Sequence, residues 1–198
     1  MVGWDLLFWL GTVAFAMSGA IAAMEEDYDL LGIWIVGLVT AFGGGMIRNV
    51  FVLDIPVALW DNHQFLLLAT GAALLAYVLP QLWSRHLRMW IFLDAVGLAA
   101  FSIQGALIAE AMDAPFAAIV AAALLSGCGG GVMRDILSKR KPLLFREEVY
   151  AVWSIVGGLV VGLGFAHESW QLLILFMILL SLRLLSVRYR WQLPKRKV

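Results

Sequence analysis

Charge is scarce in this chain. Asp, Glu, Lys and Arg make up 14% of its 198 residues, and 63% are apolar. A soluble globular domain is about a quarter charged and about half apolar, so this composition cannot clothe a water-facing surface. Cysteine is nearly absent. The single Cys128 excludes a disulfide within the chain and any cysteine-rich metal site. His63, His86 and His167 fall between apolar runs and lack metal-ligand spacing. No Walker loop, Ser-His-Asp set, zinc spacing or membrane-protease motif occurs. These absences argue against an enzyme, a metal centre or a bound cofactor. The first residues also lack the basic segment of a signal peptide, so the first apolar run reads as a retained transmembrane helix.

What is present instead is a series of apolar runs of bilayer length. A hydrocarbon core of about 30 Å needs roughly 20 apolar residues as a helix. Seven runs approach that length: 6–24, 30–47 (continuing past Arg48 to 53), 64–83, 89–109, 114–133 (continuing past Arg134 and Asp135 to 137), 149–166 and 169–187. Asp94 and Glu110 flank the fourth run and read as interfacial, and Arg183 lies close to the end of the seventh. Trp4, Trp34, Trp60, Trp83, Trp90, Trp153, Trp170 and Trp191 lie at or near run ends, as aromatic belts predict. The chain therefore reads as an all-α integral membrane protein with a single transmembrane domain over 1–187 and a basic tail over 188–198.

Lys and Arg set the orientation. With seven spans, Arg85, Arg88, Lys139, Arg140, Lys141, Arg146 and the tail (Arg188, Arg190, Lys195, Arg196, Lys197) share one side. The opposite loops hold neither residue, apart from Arg48 inside the second span. The positive-inside rule places the tail in the cytoplasm and the N-terminus outside. The tail is read as a topology anchor touching anionic lipid, not as a nucleic-acid site.

An internal repeat is visible at an offset of 86 positions. Phe42-Gly43-Gly44-Gly45-Met46-Ile47-Arg48-Asn49 matches Cys128-Gly129-Gly130-Gly131-Val132-Met133-Arg134-Asp135. The same shift aligns Gly11 with Gly97, Phe15 with Phe101, Gly19 with Gly105, Ala23 with Ala109, Thr40 with Ser126, Pro56 with Pro142 and Gly71 with Gly157. Each copy, about 3–83 and 89–166, holds three spans. An odd number inverts the second copy in the membrane and relates the two by a pseudo-two-fold axis, with the seventh span (about 169–187) outside the symmetry.

The glycine triplets carry the functional expectation. Each Gly costs a helix about 1 kcal/mol relative to Ala, so three together predict a kink or local unwinding in the second and fifth helices. Freed backbone groups are tolerated only against protein or a water-filled cavity, and paired helix breaks in two halves point to a transport path. The alternative is close helix packing through small residues. Arg48 and Arg134 follow the triplets and either face an aqueous path or snorkel to the interface. Thr40 and Ser126 precede the triplets by one turn; their hydroxyls either line the path or bond back to the preceding turn.

Together with the stretches Phe15 to Ala23 and Asp94 to Ala106, the paired motifs resemble the prokaryotic relatives of the trimeric intracellular cation (TRIC) channels, over residues 3 to 187. The resemblance implies a bacterial inner-membrane homotrimer in which each protomer conducts monovalent cations, chiefly potassium with sodium as the other candidate. It also implies a pore between the second and fifth helices, formed by Gly43, Gly44, Gly45, Arg48, Asn49, Gly129, Gly130, Gly131, Arg134 and Asp135. This chain departs from the family pattern at Asn49, where the motif has Asp. Bacterial members of the wider group are also described as glycine transporters, so a secondary transporter for a small zwitterion remains open beside the channel.

Overall fold

The computed structural model describes residues 2–54, 63–79, 87–146 and 149–192. Pro56, Trp60, Trp83, Arg85, His86, Lys195, Arg196 and Lys197, with the side chains of Trp4, Arg88 and Arg146, lie outside them. The described residues form helices: α1 Val2–Met24, α2 Leu30–Arg48, α3 His63–Val78, α4 Leu87–Ala111, α5 Phe116–Leu137, a single turn α6 Leu143–Arg146, α7 Tyr150–Gly162 and α8 Ser169–Arg188. A π-helical turn, Asn49–Leu53, extends α2. Five helices are long and apolar enough to cross a membrane; α3 and α7, at the places of the third and sixth expected spans, are shorter apolar helices. Each of the seven expected spans has a helix at its place; α3 adjoins residues outside the described ones, and α7 stops short of its run within them. The reason at α7 is local. Gly164 takes a left-handed conformation (φ 83°), its N–H bonds to Val161 O, and Phe165 N–H bonds to Val160 O. That Schellman closure stops the helix despite the apolar residues beyond it. The same closure ends α1 at Asp27 and α4 at Asp113, positions one repeat apart.

Of the two outcomes expected at the glycine triplets, a kink or local unwinding, the unwinding does not occur. α2 runs unbroken through Gly43 to Gly45, and α5 through Gly129 to Gly131. In a bilayer an unsatisfied backbone group costs several kcal/mol, more than the roughly 1 kcal/mol per residue that glycine takes from a helix. The helices keep their hydrogen bonds and spend the missing side chains on contact. A Cβ at Gly44 would overlap Ser126 O, and one at Gly130 would overlap Thr40 O. A Cβ at Gly129 would stand 2.9 Å from Gly44 Cα. The triplets thus form the crossing of α2 and α5, backbone against backbone. The irregularity in α2 lies one turn later, at the π-helical turn.

Contacts follow the repeat. α1 packs on α2 and α3 as α4 packs on α5 and α7, while α1–α4 and α2–α5 join the halves. Individual contacts are reciprocal. Gly11 faces Phe101 and Gly97 faces Phe15; Gly19 faces Thr40 and Val36 O, while Gly105 faces Ser126 and Ala122 O. Phe15 and Phe101 meet with ring centroids 5.3 Å apart. Residue i touching j′ while j touches i′ is the mark of a two-fold relation. α1 and α4 are the most enclosed of the long helices, and α8 packs mainly on α4 and α7.

Candidate functional site

The two arginines end equivalent helices and have unequal surroundings. Arg134 is fully buried. Its Nη1 donates to Asp94 Oδ1 at 2.7 Å and to Ser18 Oγ at 2.6 Å, and its Nε donates to Asp135 Oδ1 at 2.9 Å. Tyr150 OH donates to Asp94 Oδ1 at 3.1 Å, and Leu143 N–H donates to Asp135 Oδ2 at 2.9 Å. The Trp90 ring lies 5.3 Å from the Arg134 guanidinium, and Arg183 lies 4.6 Å over the Tyr150 ring. Three helices, α1, α4 and α5, therefore supply the partners of one guanidinium, and α6 and α7 hold its two acids. A buried ion pair is held by hydrogen bonds to its remaining valences; both Asp135 oxygens and Asp94 Oδ1 have them, while Asp94 Oδ2 is buried without a hydrogen-bond partner among the described residues.

Asp94 is not interfacial, as its place near the start of a span led us to expect; it is fully buried against Arg134. Glu110, the other acid of that span, does lie at a partly exposed helix end, 2.9 Å from His167 Nε2.

Arg48 is 7% exposed. Its Nε and Nη2 donate to Asn49 Oδ1 at 3.0 and 2.7 Å, the geometry Arg134 has with Asp135 but without the negative charge. Its Nη1 donates to Ser126 Oγ at 3.2 Å across the α2–α5 crossing. At the repeat-equivalent places, Phe8 stands for Asp94 and Gln104 for Ser18. No carboxylate among the described residues comes within ion-pair distance of Arg48. Beside it lies a partly open cavity of about 140 Å³, lined among others by Phe8, Phe42, Gly45, Arg48, Asn49, Gln104 and Ser126. Gly45 leaves that space clear, since a Cβ there would meet only Arg48 Nη2, at 3.8 Å.

Of the residues expected to form the site, Gly45, Arg48, Asn49 and Ser126 meet at this cavity. Arg134, Asp135 and Gly131 meet in the other cluster, where a Cβ on Gly131 would stand 2.7 Å from Tyr150 OH. Gly43, Gly44, Gly129 and Gly130 are buried around the crossing between them. Thr40 donates back to Val36 O at 2.6 Å and is fully buried. Sequence reading passed over Ser18, Gln104, Tyr150 and Trp90. The 86-position register could have found the first two, because it pairs Ser18 with Gln104 on the two central helices.

An all-helical membrane protein with two matched halves, each ending a glycine-packed helix in a buried arginine, is a fold already known. A solved TRIC cation channel is 33% identical and superposes with a TM-score of 0.85, covering 98% of this chain and 97% of its own. The TRIC trimeric intracellular cation channel orthologue from Rhodobacter sphaeroides superposes with a TM-score of 0.87 at 26% identity, covering 96% and 100%. The family model described as glycine transporter matches twice, over residues 5–81 and 91–165, and the chain belongs to that TRIC-related family. Among relatives, the UPF0126 membrane protein YvgT of Bacillus subtilis is 48% identical, covering 98% of this chain and 97% of that protein. The UPF0126 inner membrane protein YadS of Escherichia coli K12 is 34% identical, covering 96% and 95%. The two solved structures support a cation channel, and the relatives a membrane protein.

Proposed function

We propose that the protein is a monovalent cation channel, passing chiefly potassium, with a path inside each protomer of a homotrimer in the bacterial inner membrane. The observation that carries this reading is the near-complete structural match to a TRIC cation channel at 33% identity. The path is proposed to run beside the α2–α5 crossing, entering at the Arg48 cavity and closed at the other end by the Arg134 cluster. Gly43, Gly44, Gly45, Gly129, Gly130 and Gly131 shape it; Arg48, Asn49, Thr40, Ser126, Arg134 and Asp135 are the candidate lining and gating groups.

The proposed organisation is one membrane domain over 1–187 with inverted repeats at about 3–83 and 89–166, a last helix at about 169–187 and a basic tail. The proposed topology is N-terminus outside and C-terminus cytoplasmic. It rests on the basic residues, and two loop contacts support the grouping of loops it needs. Arg140 pairs with Glu25 and Glu26 at 2.8 Å, joining the α1–α2 turn to the basic loop after α5. Glu110 pairs with His167, joining the α4–α5 and α7–α8 turns at the other end. Alternate loops thus gather as an odd-spanning chain requires.

A secondary transporter for a small zwitterion such as glycine is the second reading. It is favoured by the buried Arg48, which has no carboxylate in reach among the described residues, and by the family's description. Flux through purified protein in liposomes separates the two. The channel reading expects resolved unitary currents whose reversal potential follows the potassium gradient. Saturable glycine uptake without unitary events would replace it with the carrier.

A further inference from the structure

We infer that the cavity beside Arg48 is a binding site for a small soluble carboxylate, which supplies from solution the charge that Asp94 and Asp135 supply to Arg134. The internal symmetry provides the template. In the second half the guanidinium takes one carboxylate oxygen on Nη1 and another on Nε and Nη2, with a hydroxyl on Nη1 as well. In the first half the guanidinium keeps the same pose against an amide oxygen, and the place of the other acid is held by Phe8, which cannot accept. A charge inside a span costs about 2.5–3.5 kcal/mol on insertion scales, so Arg48, which no carboxylate among the described residues pairs, favours an anion whose shape matches its donors.

The space fits. The cavity of about 140 Å³ is near the size of the ~150 Å³ cavity that admits benzene, so a ligand of four to six heavy atoms enters without rearrangement. Its polar lining suits a planar, two-oxygen anion. Arg48 offers a forked donor edge, and Gln104 and Ser126 lie beside it. The aromatic wall of Phe8, Phe42 and Phe101 has no donors and takes the ligand's carbon side. A monocarboxylate and the carboxylate end of a small amino acid share this chemistry. For a small amino acid the inference rests on the carrier reading; for a simple monocarboxylate it goes beyond both readings.

The test is ligand-dependent thermal unfolding of the purified full chain in detergent, with sodium acetate, glycine or glycinamide titrated at constant ionic strength against sodium chloride. Acetate and glycine are expected to raise the unfolding midpoint saturably, and glycinamide and chloride are not. If glycine saturates at lower concentration than acetate, the ligand is a zwitterion; the reverse order assigns a simple monocarboxylate. Arg48→Gln is expected to weaken the effect at least tenfold. Asn49→Asp, which copies the Arg-Asp pair of the second half and should fold as well as the parent, is expected to do the same by supplying an internal carboxylate. Equal stabilisation by chloride or glycinamide, or unchanged apparent affinity in Asn49→Asp, overturns the site. Flux in liposomes is read separately: flux without acetate or glycine binding removes the site alone, and binding without any flux removes the transport reading alone.

Discussion

Arg134 and Asp94 meet at 2.7 Å with both side chains fully buried, although 40 positions and a helix hairpin separate them in sequence. The contact ties α4 to α5 at the end opposite the Arg48 cavity. Removing one partner leaves the other charge buried and uncompensated, which costs about 3–5 kcal/mol. Asp94→Asn and Arg134→Gln are each expected to lose that much stability in reversible unfolding from mixed micelles. The double variant Asp94→Asn with Arg134→Met should recover part of the loss. Strictly additive losses would mean the two groups do not interact.

The glycines of one triplet should respond in opposite directions. Alanine at Gly44 places a methyl against Ser126 O, a backbone atom that cannot step aside, and overpacking of this kind costs about 1–3 kcal/mol. Alanine at Gly45 meets only the end of a flexible side chain at 3.8 Å and gains about 1 kcal/mol of helix propensity. Unfolding midpoints of Gly44→Ala and Gly45→Ala should therefore fall on either side of the parent. Equal losses at both would indicate that the helix itself, not the crossing, is sensitive.

The crossing also shows what the sequence could and could not reveal. The runs, the repeat register and the pairing of Arg48 with Arg134 were legible, because bilayer length and an 86-position shift are properties of the string itself. The unbroken helix through the triplets was not legible because glycine's weak helix propensity was weighed without the larger penalty for broken backbone hydrogen bonds in lipid. Asp94 looked interfacial because its partner comes from another helix, and no local pattern announces a pair 40 positions apart. The short α7 was hidden because a single left-handed glycine, Gly164, ends it inside an apolar run.

The clamp of Arg140 on Glu25 and Glu26 should respond to salt and hardly to pH. Burial lowers the Arg140 pKa, but its hydrogen bonds and charge interactions with Glu25 and Glu26 outweigh this and raise it above the ordinary arginine value. A raised arginine contributes stability that is fully present below the ordinary arginine pKa and is lost only as pH rises through the raised one, so the arginine adds no slope between pH 6 and 9. All three side chains are partly exposed, so the clamp contributes about 0.2–1 kcal/mol and is screened by salt. Arg140→Ala is expected to speed amide exchange at 25–29 in low salt, with the difference from the parent shrinking in about 1 M salt, where the Debye length falls to about 3 Å. A difference that persists unchanged at high salt would assign the effect to the arginine's packing.

Arg48 gives the last prediction, because the channel and carrier readings expect opposite results from one substitution. A cation passing 4 Å from an unneutralised guanidinium meets repulsion of about 4 kcal/mol at an effective dielectric of 20, falling with distance and screening. If cations pass the Arg48 cavity, Arg48→Gln lowers that barrier, keeps donors to Ser126 and Asn49, and raises potassium flux several-fold in liposomes. Asn49→Asp should also raise flux, by placing a negative charge on the same guanidinium edge. If the arginine instead holds the carboxylate of a carried solute, both substitutions abolish uptake while the protein still folds. The two variants are informative together, since each changes the local charge by one unit and neither disturbs the glycine crossing. Potassium flux that rises in both supports the proposed channel, and flux that falls in both transfers Arg48 from barrier to binding group.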